Sequence, residues 1–199
     1  LIISTLITYF IRNFSIKNNL YDIPNERSSH SMPIPKGGGL SIIILLIITT
    51  STLFYFQMIS REIFLSIIIG MFIVSIIGLI DDYKNLPILI RLFGYTIGAI
   101  IALYFIGGVN SLFESNHNFF KCCDINISKF GGIGPFLAVL FVLWLTNLYN
   151  FMDGTDGFAA IQTICVSLFC SFLFYSSDNY ALVIIMLCMT SSTIGFLYW

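Results

Sequence analysis

Ile63-Phe64-Leu65-Ser66-Ile67-Ile68-Ile69-Gly70-Met71-Phe72-Ile73-Val74-Ser75-Ile76-Ile77-Gly78-Leu79-Ile80 runs for 18 residues without a charge, and Asp81-Asp82 follows at once. A membrane-crossing β-strand needs only about 9–11 residues, whereas a crossing helix needs about 20. The run therefore predicts a helix in lipid, where every backbone group must be paired within the segment. Similar runs occupy roughly 1–11, 38–56, 88–106, 133–149, 158–175 and 181–198. The expected fold class is all-α: a polytopic transmembrane bundle of about seven spans. Residues 1–11 are too few to cross alone and the last run finishes at Trp199, so the chain reads as starting inside a helix and as C-terminally truncated.

Composition agrees. The chain is 57% hydrophobic and 10% charged, with a mean hydropathy of +0.93, whereas a soluble domain carries about 25% charge. A net charge of -1 gives no support for nucleic acid as a partner. The partner implied is the lipid bilayer. Cys165, Cys170 and Cys188 lie in apolar runs and read as packing residues, and no Cys-x-x-Cys metal spacing occurs.

The polar stretches alternate in a regular way. The loop 12–37 carries Arg12, Lys17, Arg27 and Lys36; the loop 81–87 carries Lys84, with Arg91 just beyond. The alternate loops hold only Arg61, Lys121 and Lys129. Basic residues collect on the cytoplasmic side, so 12–37, 81–87 and 147–157 are expected to be cytoplasmic. Those three also hold the distinctive polar residues.

Asn147-Leu148-Tyr149-Asn150-Phe151-Met152-Asp153-Gly154-Thr155-Asp156-Gly157 places Asn, Asn, Asp and Asp at every third position, with Gly after each Asp. Steps of three keep neighbouring pairs near one helix face, and the glycines permit tight turns and close ligand approach. Oxygen donors at this spacing suit a hard cation such as Mg²⁺. The plainer alternative is a polar loop in which Asp caps a helix. Asp81 and Asp82 end the third run, where adjacent carboxylates raise each other's pKa. A cation or a polar cavity would relieve them; the alternative is a solvated pair neutralised by Lys84. Arg91 on the next helix would face the same cavity or serve as a positive-inside anchor. The first loop reads Tyr21-Asp22-Ile23-Pro24-Asn25-Glu26-Arg27-Ser28-Ser29-His30, then Pro33-Ile34-Pro35-Lys36-Gly37-Gly38-Gly39. Its prolines hold the chain extended. Three glycines beside Lys36 then lead into a helix, a pattern able to cradle phosphate. Arg27 and Lys36 serve equally well as positive-inside anchors.

Taken together, Asp22-x-Pro-Asn-x-Arg-Ser-Ser-His-x-x-Pro-x-Pro-Lys-Gly-Gly-Gly, Asp81-Asp82 and Asn147-x-x-Asn-x-x-Asp-Gly-x-Asp-Gly resemble the polyprenyl-phosphate N-acetylhexosamine-1-phosphate transferases of glycosyltransferase family 4, in the branch that starts bacterial surface polysaccharide. The resemblance runs from Asp22 to about Gly157. It implies transfer of sugar-1-phosphate from a UDP-N-acetylhexosamine to undecaprenyl phosphate, with UMP released, in the bacterial inner membrane. It implies Mg²⁺, with Mn²⁺ as a substitute, and Asp153 as the metal ligand. Asp81 and Asp82 would be catalytic, binding metal or deprotonating the lipid phosphate. Lys36, Arg27, Asn147, Asn150 and Asp156 would bind substrate, and a homodimer is compatible with this reading. The chain would then be one transmembrane transferase domain over 1–199, incomplete at both ends. In this family a later loop carries a His-rich motif, whereas the two histidines here are His30 and His117; the expectation is that 1–199 alone does not turn over substrate. A transporter subunit or an inactive scaffold of the same fold are the competing classes. A CDP-alcohol phosphotransferase would need more acidic residues at wider spacing.

Overall fold

A computed structural model describes residues 1–22, 32–84, 86–106, 133–152 and 157–199. Its described residues form seven helices: α1 (Ile2–Lys17), α2 (Leu40–Tyr55), α3 (Arg61–Lys84), α4 (Ile88–Phe105), α5 (Ile133–Met152), α6 (Phe158–Ser176) and α7 (Tyr180–Leu197). A short antiparallel pair, β1 (Tyr21–Asp22) with β2 (Ile34–Pro35), aligns Tyr21 with Pro35 and Asp22 with Ile34. The extended backbone expected before Lys36 is thus present and pairs as a strand.

Five helices, α3 to α7, are long and apolar enough to cross a membrane. α2, at 16 residues, spans about 24 Å against a hydrocarbon core of about 30 Å. α1 also has 16 residues. The seven expected spans are therefore seven helices of which five reach full crossing length. Three boundaries differ from the hydropathy reading. α1 continues through Arg12 and Asn13 to Lys17, because nothing in 12–17 breaks a helix. α3 starts at Arg61 and keeps Asp81–Lys84 as its last turn. α5 runs on to Met152, so the first half of the Asn/Asp stretch is helical rather than loop. α1 ends on Asn19 in the left-handed region (φ 56), with Leu20 N donating to Ser15 O. Gln57 and Asp178 close α2 and α6 in the same way, with Met58 N donating to Leu53 O and Asn179 N to Phe174 O.

The described residues fall into two compact units. One comprises Leu1–Thr49, Leu148–Tyr175 and Asn179–Trp199. Here α7 is the central element. α1 runs parallel to it: Ser4 Oγ donates to Ser192 O at 2.6 Å, and the Trp199 indole N–H donates to Thr5 O at 3.0 Å. Gly195 faces Ser4 so closely that a Cβ there would lie 2.6 Å from Ser4 Oγ. α2 and α6 run antiparallel to α7, joined through Thr49 Oγ1 and Cys188 Sγ (3.0 Å) and through Ser167 Oγ and Thr190 Oγ1 (2.7 Å). Thr8 Oγ1 donates to Ser41 Oγ, linking α1 to α2. Ser4, Thr8, Ser41, Ser167, Thr190, Ser192 and Thr193 are all buried, whereas Phe169, Phe172 and Leu187 are exposed. This inversion fits a bilayer. Lipid removes the hydrophobic drive between helices, so small and hydroxyl-bearing residues pack and large apolar ones face the acyl chains.

The other unit comprises Thr50–Asn147 and Ser176–Asp178. It contains the antiparallel hairpin α3–α4. Gly94, Gly98 and Ala102 form a small-residue stripe along α4. A Cβ on Gly98 would lie 3.3 Å from Ile73 Cγ2, and one on Gly70 would lie 3.2 Å from Ala102 Cβ. Gly94 abuts Ile77. Ser66 Oγ donates to Ala102 O at 2.8 Å, fixing the register.

Candidate active site

The last turn of α3 carries Asp81 and Asp82 to a helix C-terminus, where the backbone dipole disfavours negative charge. α4 returns antiparallel to α3, and Pro87 occupies its N-cap position. That return brings Arg91, one turn into α4, to Asp81. The Asp81 carboxylate accepts from Leu86 N through Oδ1 and from Arg91 Nη1 through Oδ2, each at 2.7 Å. Both side chains of the ion pair are about one quarter exposed (24% for Arg91 and 23% for Asp81). Asp81 is thus neutralised by Arg91, and the cation adjacent in sequence, Lys84, is exposed. A carboxylate offers about four acceptor sites, so two accepted bonds leave capacity on both oxygens. Asp82 beside it is exposed.

Lys36 is placed by the strand pair. Its backbone N donates to Leu20 O at 3.0 Å, and its carbonyl accepts from Ser15 Oγ at 2.8 Å. Its ammonium lies 3.3 Å from Asp22 Oδ1, at side-chain exposures of 25% and 47%. Exposed pairs of this kind contribute about 0–1 kcal/mol, so Lys36 remains available to a stronger anion. Asp22 carries no role in the sequence motif; the strand pair of Tyr21–Asp22 with Ile34–Pro35 brings it to Lys36. After Lys36 the chain turns at Gly37 (φ 88) and enters α2.

Asn147 and Asn150 lie three residues apart in the last turns of α5, both exposed and on neighbouring positions of one face. Asn147 Nδ2 donates to Leu143 O at 2.9 Å, which leaves its amide oxygen directed away from the helix bond. Gly157 (φ 72) holds the N-cap position of α6, its carbonyl accepting from Ile161 N at 2.9 Å. Asp153, Asp156 and Arg27 lie outside the described residues. Among the described residues no three His, Cys, Asp or Glu side chains come together as a metal cluster. The carboxylate and amide oxygens at Asp81, Asp82, Asn147 and Asn150 are the donor types a hard divalent cation takes. Asp81–Arg91 belongs to one unit and Lys36–Asp22 to the other.

Comparison with known proteins places this geometry. The family model described as glycosyl transferase family 4 matches residues 64–199. A probable undecaprenyl-phosphate N-acetylglucosaminyl 1-phosphate transferase of Bacillus subtilis is 25% identical over 196 residues, 98% of this chain and 51% of the relative. The undecaprenyl-phosphate alpha-N-acetylglucosaminyl 1-phosphate transferase of Thermotoga maritima is 29% identical over 199 residues, 100% of this chain and 54% of its own length. The phospho-N-acetylmuramoyl-pentapeptide-transferase of Orientia tsutsugamushi is 31% identical over 191 residues, 88% of this chain and 51% of the relative. The chain spans about half the length of these curated relatives. The match over α3 to α7, together with a carboxylate pair and an Asn/Asp stretch at the ends of apolar helices, makes this multi-pass membrane chain a member of glycosyl transferase family 4.

Proposed function

We propose that this chain forms the membrane-embedded part of an enzyme that moves N-acetylhexosamine-1-phosphate from a UDP-sugar to undecaprenyl phosphate. A lipid-phosphate oxygen attacks the sugar-bearing phosphorus. The bond from that phosphorus to the bridging oxygen breaks, UMP leaves, and the anomeric bond stays intact. The product would start a surface polysaccharide such as the O-antigen of lipopolysaccharide, at the cytoplasmic face of the inner membrane. The observation that carries this reading is the carboxylate pair at the end of α3, one member neutralised by Arg91 and the other exposed. Arg91 offsets the charge of Asp81, and Asp82 is exposed beside it. We assign Asp82 the proton of the lipid phosphate and Asp81 the adjacent fixed negative charge.

Phosphoryl transfer depends on positioning and charge neutralisation more than on covalent help. Lys36, Arg27, Asn147, Asn150 and Asp156 are assigned to the nucleotide-sugar, and Asp153 to Mg²⁺ or Mn²⁺. When bound, the ion supplies Lewis-acid stabilisation of the pyrophosphate. Acidic residues at helix ends, rather than in mid-span, favour this over an ion path through the bilayer. The test is UMP release by the full-length protein. Asp153→Asn removes charge while keeping size and one oxygen; a metal ligand loses most activity, while a capping Asp tolerates it, because Asn caps equally well. Wild-type rates for Asp153→Asn and Asp82→Asn at saturating Mg²⁺ would remove both assignments.

A further inference from the structure

Two glycine-led helix starts meet one turn of α7. Gly38, in the lead-in to α2, lies under the Phe196 ring; a Cβ there would be 3.0 Å from Cδ2 and 3.5 Å from Cζ. Gly157, at the start of α6, would bring a Cβ within 3.2 Å of Leu197 Cδ1. Phe196 and Leu197 are adjacent, so their side chains leave the helix about 100° apart and reach different neighbours. Both lead-ins carry a left-handed glycine, Gly37 at φ 88 and Gly157 at φ 72. The turn of α7 is itself anchored, because Trp199 donates to Thr5 O and packs on Tyr9, with ring centroids 5.2 Å apart. The Arg12 guanidinium lies 5.6 Å from the Trp199 ring centroid. We propose that Phe196 and Leu197 are positioning residues that set the spacing between Gly38, in the lead-in to α2, and Gly157, at the start of α6. The inference rests on the function proposed above, which assigns Lys36 to the nucleotide-sugar and Asp153, four positions before Gly157 in the sequence, to the metal. Neither side chain needs to touch substrate. Each fixes where a glycine backbone stops, and a misplacement of about 1 Å in a phosphoryl-transfer site costs of the order of 100-fold.

Two readouts test this on the full-length protein. Spin labels on Gly39→Cys and Phe158→Cys, in a background without other cysteines, report the spacing directly. Gly39 has open space for a side chain and Phe158 is exposed. Leu197→Ala and Phe196→Ala are expected to shift or broaden that distance distribution, and Leu197→Met to restore it. In UMP-release assays the same two Ala variants are expected to lose roughly 10- to 100-fold in kcat per folded enzyme, with a smaller change in KM. Gly38→Ala is expected to lose activity, and Phe196→Leu to recover it by making room for the added methyl. An unchanged distance distribution in both Ala variants overturns the proposal whatever the assay shows. An unchanged kcat per folded enzyme despite a shifted distance overturns it as well. A shifted distance in a protein whose wild type releases no UMP leaves the spacing role intact and refutes the proposed function instead.

Discussion

Replacing Arg91 and Asp81, singly and together, tests whether this pair holds the end of α3. The guanidinium–carboxylate contact is 2.7 Å, at the short end for a charge-assisted hydrogen bond. Exposed pairs contribute about 0.2–1 kcal/mol, and breaking a fully buried pair costs about 3–5 kcal/mol. With both side chains about one quarter exposed, the coupling should fall between these limits, at about 1–2 kcal/mol. Asp81→Asn keeps an oxygen for Leu86 N but loses the charge facing Arg91. Arg91→Met keeps the length of the side chain and removes the cation. Arg91→Met alone should be the more damaging for the carboxylates, because it leaves two adjacent negative charges at a helix C-terminus with their offset gone. The double variant Asp81→Asn/Arg91→Met should recover part of that loss. Denaturation of the full-length protein in mixed micelles gives the four free energies of the cycle. A coupling near zero would refute the role given to Arg91 and return the neutralisation of the pair to Lys84.

Gly98→Leu should destabilise by about 1–3 kcal/mol through overpacking against Ile73, measured by the same denaturation; an unshifted transition would contradict the α3–α4 register. Ser167→Ala should cost only about 0.6 kcal/mol, the average for a hydrogen bond between membrane helices, and a loss above about 3 kcal/mol would show a larger role for the Thr190 contact. Asp178→Asn should be within about 0.5 kcal/mol of wild type, since Asn tolerates the left-handed region, while Asp178→Val should cost at least about 1 kcal/mol; equal stability of the two would count against the left-handed end of α6.

The helices were legible because lipid imposes long uncharged runs, and 63–80 shows this most plainly. Their ends were less so. Hydropathy drops at Arg12 and at Asn150, but a helix needs only the absence of a breaker, so α1 continues to Lys17 and α5 to Met152. Gln57 adopts a left-handed conformation that sequence rules reserve for Gly, Asn and Asp. The sequence offered Lys84 as the neutralising cation and placed Arg91 only in the same cavity, whereas Arg91 is the partner of Asp81. The choice is made by the antiparallel return of α4 along α3, a three-dimensional event. The buried hydroxyls left no strong signal, because Ser and Thr within apolar runs look alike whether they face lipid or another helix. The fit of Gly38 and Gly157 against Phe196 and Leu197 needed coordinates, since it joins residues about 40 to 158 positions apart.

The pairing of α1 with α7 has a consequence for biosynthesis. Ser4 and its acceptor, the Ser192 carbonyl, are 188 residues apart, and Trp199 reaches back to Thr5 across 194. At 5–20 residues per second, roughly 10–40 s separate the synthesis of α1 from that of its partner. During that interval α1 can pair with α2, through Thr8 and Ser41, but the face that docks on α7 stays uncovered. The hairpin α3–α4, by contrast, has both partners made within seconds and can close at once. Ribosome stalling before residue 190 would leave the α7-docking face of α1 without its partner.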